Sequence, residues 1–326
     1  MIQAVLGNPS HPEYGVVTIP FPIPHDQYAH CMELLEALEI GDAVKADCKV
    51  EEIDSFYTVL KRTEMRTVNV EELNYLAKRL DSFDTGEAAQ FQAMAHKLEL
   101  FQLKDLINLT FCCQQATVIT DFSDLAAVGR DHYMNLHGGS ASVDELDKLD
   151  VEETARQPIE NGGGTITPYG VVYDNGMKLE QIYDGHFFPC YYYEPNAITV
   201  AVTSKAEPED TEHITWLYLP MAQEELDRAL LRGGITDPAD VRLRLEDSQL
   251  PMRWMSCWIW SMKPFPTSTI WQRRRMGCQT RIWKSWVLWS CWQSQSLRHR
   301  SKTLRKVSTS LTLPPARTLP PSTAST

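Results

Sequence analysis

Residues Ile19–Ile40 read IPFPIPHDQYAHCMELLEALEI, and a shorter relative of that stretch, LYLPMAQEELDRALLRGGI, returns at Leu217–Ile235. Each is an extended run closed by proline and followed by a helical run. In the first copy, Pro20 and Pro22 interrupt apolar residues within VVTIPFPI at 16–23. That suits an edge strand, because proline has no N–H to give to an inner ladder. Tyr28, Cys31, Met32, Leu35 and Leu38 then recur at helical spacing behind Asp26. Aligning the copies pairs Pro22 with Pro220, Asp26 with Glu224 and, after a three-residue gap, Ile40 with Ile235. Further on, EEIDS at 51–55 resembles RLEDS at 244–248. An ordered series of matches argues for a repeated strand–helix–strand unit.

Between the copies, the pattern alternates helix and strand. CKVEEIDSFY at 48–57 reads as a short polar strand. Asn69-Val70-Glu71-Glu72 places a capping residue three before a glutamate, a variant of the capping box. Leu73, Leu76, Ala77 and Leu80 share one face of the helix that follows. A second helix is expected after Thr85, with Ala88, Phe91, Met94, Ala95 and Leu98 buried. TVIT at 117–120 reads as a strand and 123–135 as a helix. Residues 138–168, with GGS, GGG and an acidic run, have linker composition. Asp174-Asn175-Gly176 signals a hairpin turn, and FFPCYYYE and AITVAVTS add two strands. The expected class is α+β: an elongated chain of small mixed units with a β-rich connector and a non-globular tail. The expected divisions are a first unit at 1–137, a connector at 138–212, the start of a second unit at 213–251 and a tail at 252–326.

Charge divides the chain sharply. All 43 Asp and Glu and 18 of the 31 Lys and Arg lie in residues 1–250, a net of −25, while the last 76 residues carry +13 and eight of the nine tryptophans. The tail is too rich in tryptophan for a nucleic-acid-binding arm and too often charged for a membrane span. The genetic code offers another explanation, because Trp and Met have one codon each. In the frame joining each codon's last base to the next two, Trp254–Met255 and Trp258–Ile259 give Asp. Met262–Lys263 and Trp283–Lys284 give Glu, Cys257–Trp258 gives Leu and Trp271–Gln272 gives Ala. Residues 254–272 can then read DVLLDMEHEAISDLNHLA, an amphipathic helical text whose ISDLNHLA parallels VEELNYLA at 70–77. The tail therefore reads as wrong-frame sequence, with the slip near Pro251–Arg253.

Residues 15–136 resemble the ArdA-type antirestriction family of conjugative elements. The likeness rests on the strand ending in Pro22, on EEIDS, on ELNYLAKRL at 72–80 and on AAVGRDHYM at 126–134; residues 217–248 would begin a second copy. Residues 138–212 have no counterpart in that family, whose members are about half as long. The resemblance implies an acidic mimic of duplex DNA that occupies the DNA-binding groove of a type I restriction–modification enzyme, often as a dimer. Duplex DNA carries about one negative charge per 1.7 Å of axis, so −25 corresponds at most to roughly 40 Å of duplex.

The candidate partner-binding carboxylates are Asp42, Asp47, Glu51, Glu52, Asp54, Glu71, Glu72, Asp81, Asp84 and Glu87. Individually, such residues also serve as solvated surface. A rival reading is an acidic module for another basic protein. A hydrolase using Asp174, Asp184 and His186 has less support, since Asp174 suits a turn and Asp-x-His alone is weak. No HExxH, P-loop or nucleophile with an evident base appears, so no enzyme activity, metal or cofactor is expected. Neither nucleic acid nor a membrane is expected as partner. Five cysteines in 1–250, none in a CxxC pair, and the absence of a signal-peptide pattern point to the cytoplasm.

Overall fold

β1, Ile2–Gly7, is the centre of a four-stranded antiparallel sheet, flanked on one side by β2, Val16–Phe21. After β2 come α1, Tyr28–Glu36, and β3, Cys48–Ser55, which lies on the other side of β1 and carries the short β4, Thr67–Val68, at the sheet's far edge. The proline-containing β2 is an edge strand, as its sequence predicts. The computed structural model describes residues 1–249 apart from 139, 192–195, 206–212, 236 and 238–240. The tail reading lies outside the described residues, as does most of the YYYE segment.

Three helices follow: α2, Val70–Asp81; α3, Thr85–Lys97; and α4, Leu103–Leu109. Ala4, Leu6, Ile19, Phe21, Val50 and Ile53 from the sheet join Leu73, Leu76, Phe91, Met94 and Ile107 from the helices in one buried core. Leu98, expected in the α3 stripe, instead caps that helix and is 39% exposed. The core also takes in Tyr183 and Tyr191, so packing crosses position 137 without a break.

β5, Thr117–Ile119, leads to α5, Leu125–Leu136. The stretch with linker composition forms two helices, α6, Val143–Leu146, and α7, Val151–Asn161, each started by a side-chain cap from Ser142 and Asp150. α7 packs on α5 around Val128 and Ala155. Then β6, Thr165–Thr167, and β7, Gly170–Tyr173, pair with β5 in the order β5-β7-β6. Asn175 and Gly176 do adopt positive φ, but no hairpin closes there. Asp174 pairs with Lys97 and Asn175 donates to Gln115 and Thr117, which ties the turn to α3 and β5. The FFPC residues are irregular and are held by ring stacking, Phe188 lying 4.5 Å from Tyr75 and 5.2 Å from Tyr183 between centroids.

β8, Ile198–Ser204, is the centre of a third antiparallel sheet between β9, Thr215–Leu219, and β10, Val241–Ser248, with α8, Gln223–Arg232, joining the outer two. This repeats the strand order of the β1-β2-α1-β3 unit, with the third-strand bulge at Glu246 rather than at the place matching Glu51. Ile2 faces Phe21 and Ser55; Ile198 faces Leu219 and Ser248. The prolines that follow, Pro22 and Pro220, are both cis. The helix ends also correspond: Ile40 N–H donates to Leu35 and Ile235 N–H to Leu230, over a positive-φ residue that is Glu39 in one copy and Gly234 in the other. The sequence pairing of Ile40 with Ile235 therefore has a geometric counterpart. The fold is mixed α+β.

Candidate partner-binding surface

β3 places the first group of carboxylates. Val50 pairs with Leu6 but Glu52 pairs with Val5, so Glu51 is an extra, bulged residue. The bulge lets Val50 and Ile53, three apart, both face the core, and turns Glu52 and Asp54 outward to solvent. Glu51 is half-buried and pairs with Lys49 at 2.9 Å.

The second group lies where α2 ends and α3 begins. Asp81 is exposed. Asp84 and Glu87 form a capping box: Glu87 N–H donates to Asp84 Oδ1 at 2.8 Å and Asp84 N–H to Glu87 Oε2 at 3.1 Å. Such a cap stabilises α3 by about 1 kcal/mol. It leaves net negative charge at the surface. Glu52, Asp54, Asp81, Asp84 and Glu87 make no ion pair with a cation among the described residues. Asp124, which caps α5, and Asp131, further along it, extend this group. The Asp131 carboxyl is raised above its ordinary value by burial and by the neighbouring charges of Asp124 and Asp84, while Arg130 opposes the rise.

A third pair sits in the loop before β3. Asp42 accepts from the amides of Val44 and Lys45, both at 2.8 Å, and those amides hold its carboxyl below the ordinary value. Asp47 accepts from Gly41 and Asp42. This loop is fastened to the start of α2, because Asn69 Nδ2 donates to the carbonyls of Asp42 and Lys45. Asp81 ends the same helix, so a 12-residue helix, about 18 Å long, separates the two groups.

Glu71 and Glu72 do not join this surface. Asn69 caps α2 as expected, accepting from Glu71 and Glu72 N–H. The Glu72 side chain does not complete the box; it accepts from Tyr183 Oη at 2.7 Å. Glu71 accepts from Tyr28 Oη at 3.0 Å and pairs with Arg228. The charged partners come from α8, whose Glu225, Arg228 and Arg232 project at i, i+3 and i+7 along one face. Glu225 meets Lys78 at 2.7 Å and His25 at 3.1 Å. Burial pushes the Glu225 carboxyl up, but Lys78 and His25 outweigh it and hold the value at about 2. Arg232, 4% exposed, donates to the carbonyls of Ala43, Gly185 and His186, to Asn69 Oδ1 and to Tyr183 Oη. Its guanidinium lies 4.4 Å from the centre of the Phe188 ring.

This network was missed from sequence. α8 reads as an ordinary solvated, amphipathic helix, and only the close spacing of opposite charges hinted at a counter-charged partner. The alternative triad is not assembled as one. Asp174 is held by Lys97 at 2.7 Å, and Asp184 accepts from the backbone amides of His186 and Phe187 in a turn. Among the described residues, no three His, Cys, Asp or Glu side chains could hold a metal, and no helix is long and apolar enough to cross a membrane.

No family model, curated protein or solved structure matches the chain. Exposed carboxylates on short, capped elements form fixed anionic points on this surface.

Proposed function

We propose that this chain is a non-catalytic antirestriction protein that inserts its acidic face into the DNA-binding groove of a type I restriction–modification enzyme. One observation carries the reading. The cations at the α2–α8 contact neutralise Glu71, Glu72 and Glu225, whereas Glu52, Asp54, Asp81, Asp84 and Glu87 are left without a described counter-charge. Internal charge is balanced and external charge is not, as in a surface whose counterions belong to a partner. A groove lined with Lys and Arg attracts such a surface at long range, through a field that salt screens. The likeness of residues 15–136 to the ArdA-type family supplies the target class.

The test is competition. Full-length protein is titrated into a type I methyltransferase core holding labelled duplex DNA, at salt from about 50 mM to about 200 mM. Displacement that weakens steeply with salt is expected. Glu52→Gln/Asp54→Asn/Asp84→Asn should weaken displacement and flatten its salt dependence. No displacement at the lowest salt overturns the proposal.

A further inference from the structure

Beside the second acidic group lies a surface recess of about 270 Å³. Its floor is apolar, formed by Ile2, Phe21, Leu80 and Ala88, and its rim carries Phe56, Phe83, Asp81 and Asp84. Phe56 is 68% exposed although it is a large apolar side chain. It is held edge-on to Tyr57, at 5.4 Å between ring centres, and Tyr57 in turn is edge-on to Phe91 at 6.0 Å. The ring is thus supported by a chain of edge contacts while most of it stays open to solvent. The recess is at the low end of the roughly 300–1,000 Å³ of small-molecule pockets, a size that suits one long side chain.

Charge selects which side chain. The lining contains no Lys, Arg or His. The carboxylate of Asp81 makes no hydrogen bond or ion pair with a described residue, and the Met1 amino group forms none with Asp81 or Asp84. Burial, then the charges of Asp81 and Glu87, raise the Tyr57 hydroxyl to about 12. Apolar walls accept a methylene stem, an open ring face accepts a delocalised cation, and a carboxylate on the rim accepts the N–H groups of a guanidinium.

We infer that this recess is an anchor for one arginine side chain of the basic partner. The inference rests on the proposed function and deepens it by naming a residue-level contact. Arginine is favoured over lysine, because a planar guanidinium stacks on a ring while its N–H fork bonds a carboxylate, whereas an ammonium is a compact, strongly hydrated charge.

Full-length wild type, Phe56→Ala and Asp81→Asn are titrated with blocked tri-arginine and tri-lysine peptides, and each is tested in the DNA-competition assay. Both side chains are exposed, so thermal melts should coincide; Phe56→Leu is a further variant that keeps apolar bulk without the ring. Wild type should bind the arginine peptide more tightly than the lysine peptide. Phe56→Ala and Asp81→Asn should each weaken arginine-peptide binding by about 3- to 10-fold, with Phe56→Leu weakened similarly. Equal affinity of wild type and variants overturns the anchor. If wild type displaces DNA and the variants match it in both assays, the anchor falls and the target reading stands. If peptide binding drops in the variants but wild type displaces no DNA, the target reading falls and the recess remains an arginine site.

Discussion

Arg232 illustrates what one side chain can fasten. It is buried and has five hydrogen-bond acceptors drawn from the Asp42 loop, α2 and the 183–186 turn. Arg232→Met strands these acceptors and removes the counter-charge 3.8 Å from Glu72. Unfolding by urea should show a loss of about 3–5 kcal/mol. Arg232→Lys should recover little, since one ammonium cannot span the same acceptors. Glu39 offers the opposite case. It adopts φ of 56° at the end of α1, where the equivalent residue after α8 is Gly234. Glu39→Gly should raise stability by about 1 kcal/mol, read from the same urea curves. Titration of Glu225 sets an acid limit. Its value lies near 2 rather than at 4.5, so its contribution is complete above about pH 4.5 and declines as pH falls towards 2. Urea midpoints should drop across that window by the equivalent of about 3 kcal/mol, and Glu225→Gln should flatten the decline.

At the scale of elements, the crossing of α5 and α7 is the most exacting contact. A Cβ added at Gly129 would lie 1.8 Å from the Val151 carbonyl oxygen. The backbones touch there, and nothing flexible can yield. Gly129→Ala should therefore lower the melting point by the equivalent of at least about 1–3 kcal/mol. Gly86→Ala, also helical but meeting only Asp84 Oδ1 at 3.3 Å, serves as control. Elements of this kind show where sequence reading succeeds. α2 and α3 were legible because Asn69 and Asp84 cap them and their apolar residues keep a helical period. β1 was not, because IQAVLG is short and buried on its core face without a turn signal in front. α7 was hidden by composition: the flanking glycines and the acidic run suggest a linker, and the Asp150 cap and packing on α5 together explain the helix. Glu71 and Glu72 were misplaced for a related reason. Their surface character depends on whether α8, some 150 positions later in the chain, covers them.

At the scale of the molecule, the second copy of the strand–helix–strand unit docks on α2 through side-chain charge. Glu225 reaches Lys78, Arg228 reaches Glu71 and Arg232 reaches Glu72. These contacts couple the second copy to the core of the first. Scanning calorimetry of the full chain should show residues 1–249 unfolding in one transition. Arg228→Met/Arg232→Met should separate the melting of the second copy, because the buried glutamates would then oppose docking. The candidate surface was legible in part at this scale. The abundance of acid was visible in composition, but its division into a group on β3 and one at either end of α2 is a property of the fold.

The shared register of the two copies also makes a claim about tolerance to substitution. Ile2 and Ile198 face equivalent neighbours, as do Phe21 and Leu219, and Ser55 and Ser248. In a saturation library scored for abundance, these positions should rise and fall in matched pairs. The profile of one half would then forecast that of the other, except along α1 and α8, where one helix keeps an open flank and its twin is committed to the seam.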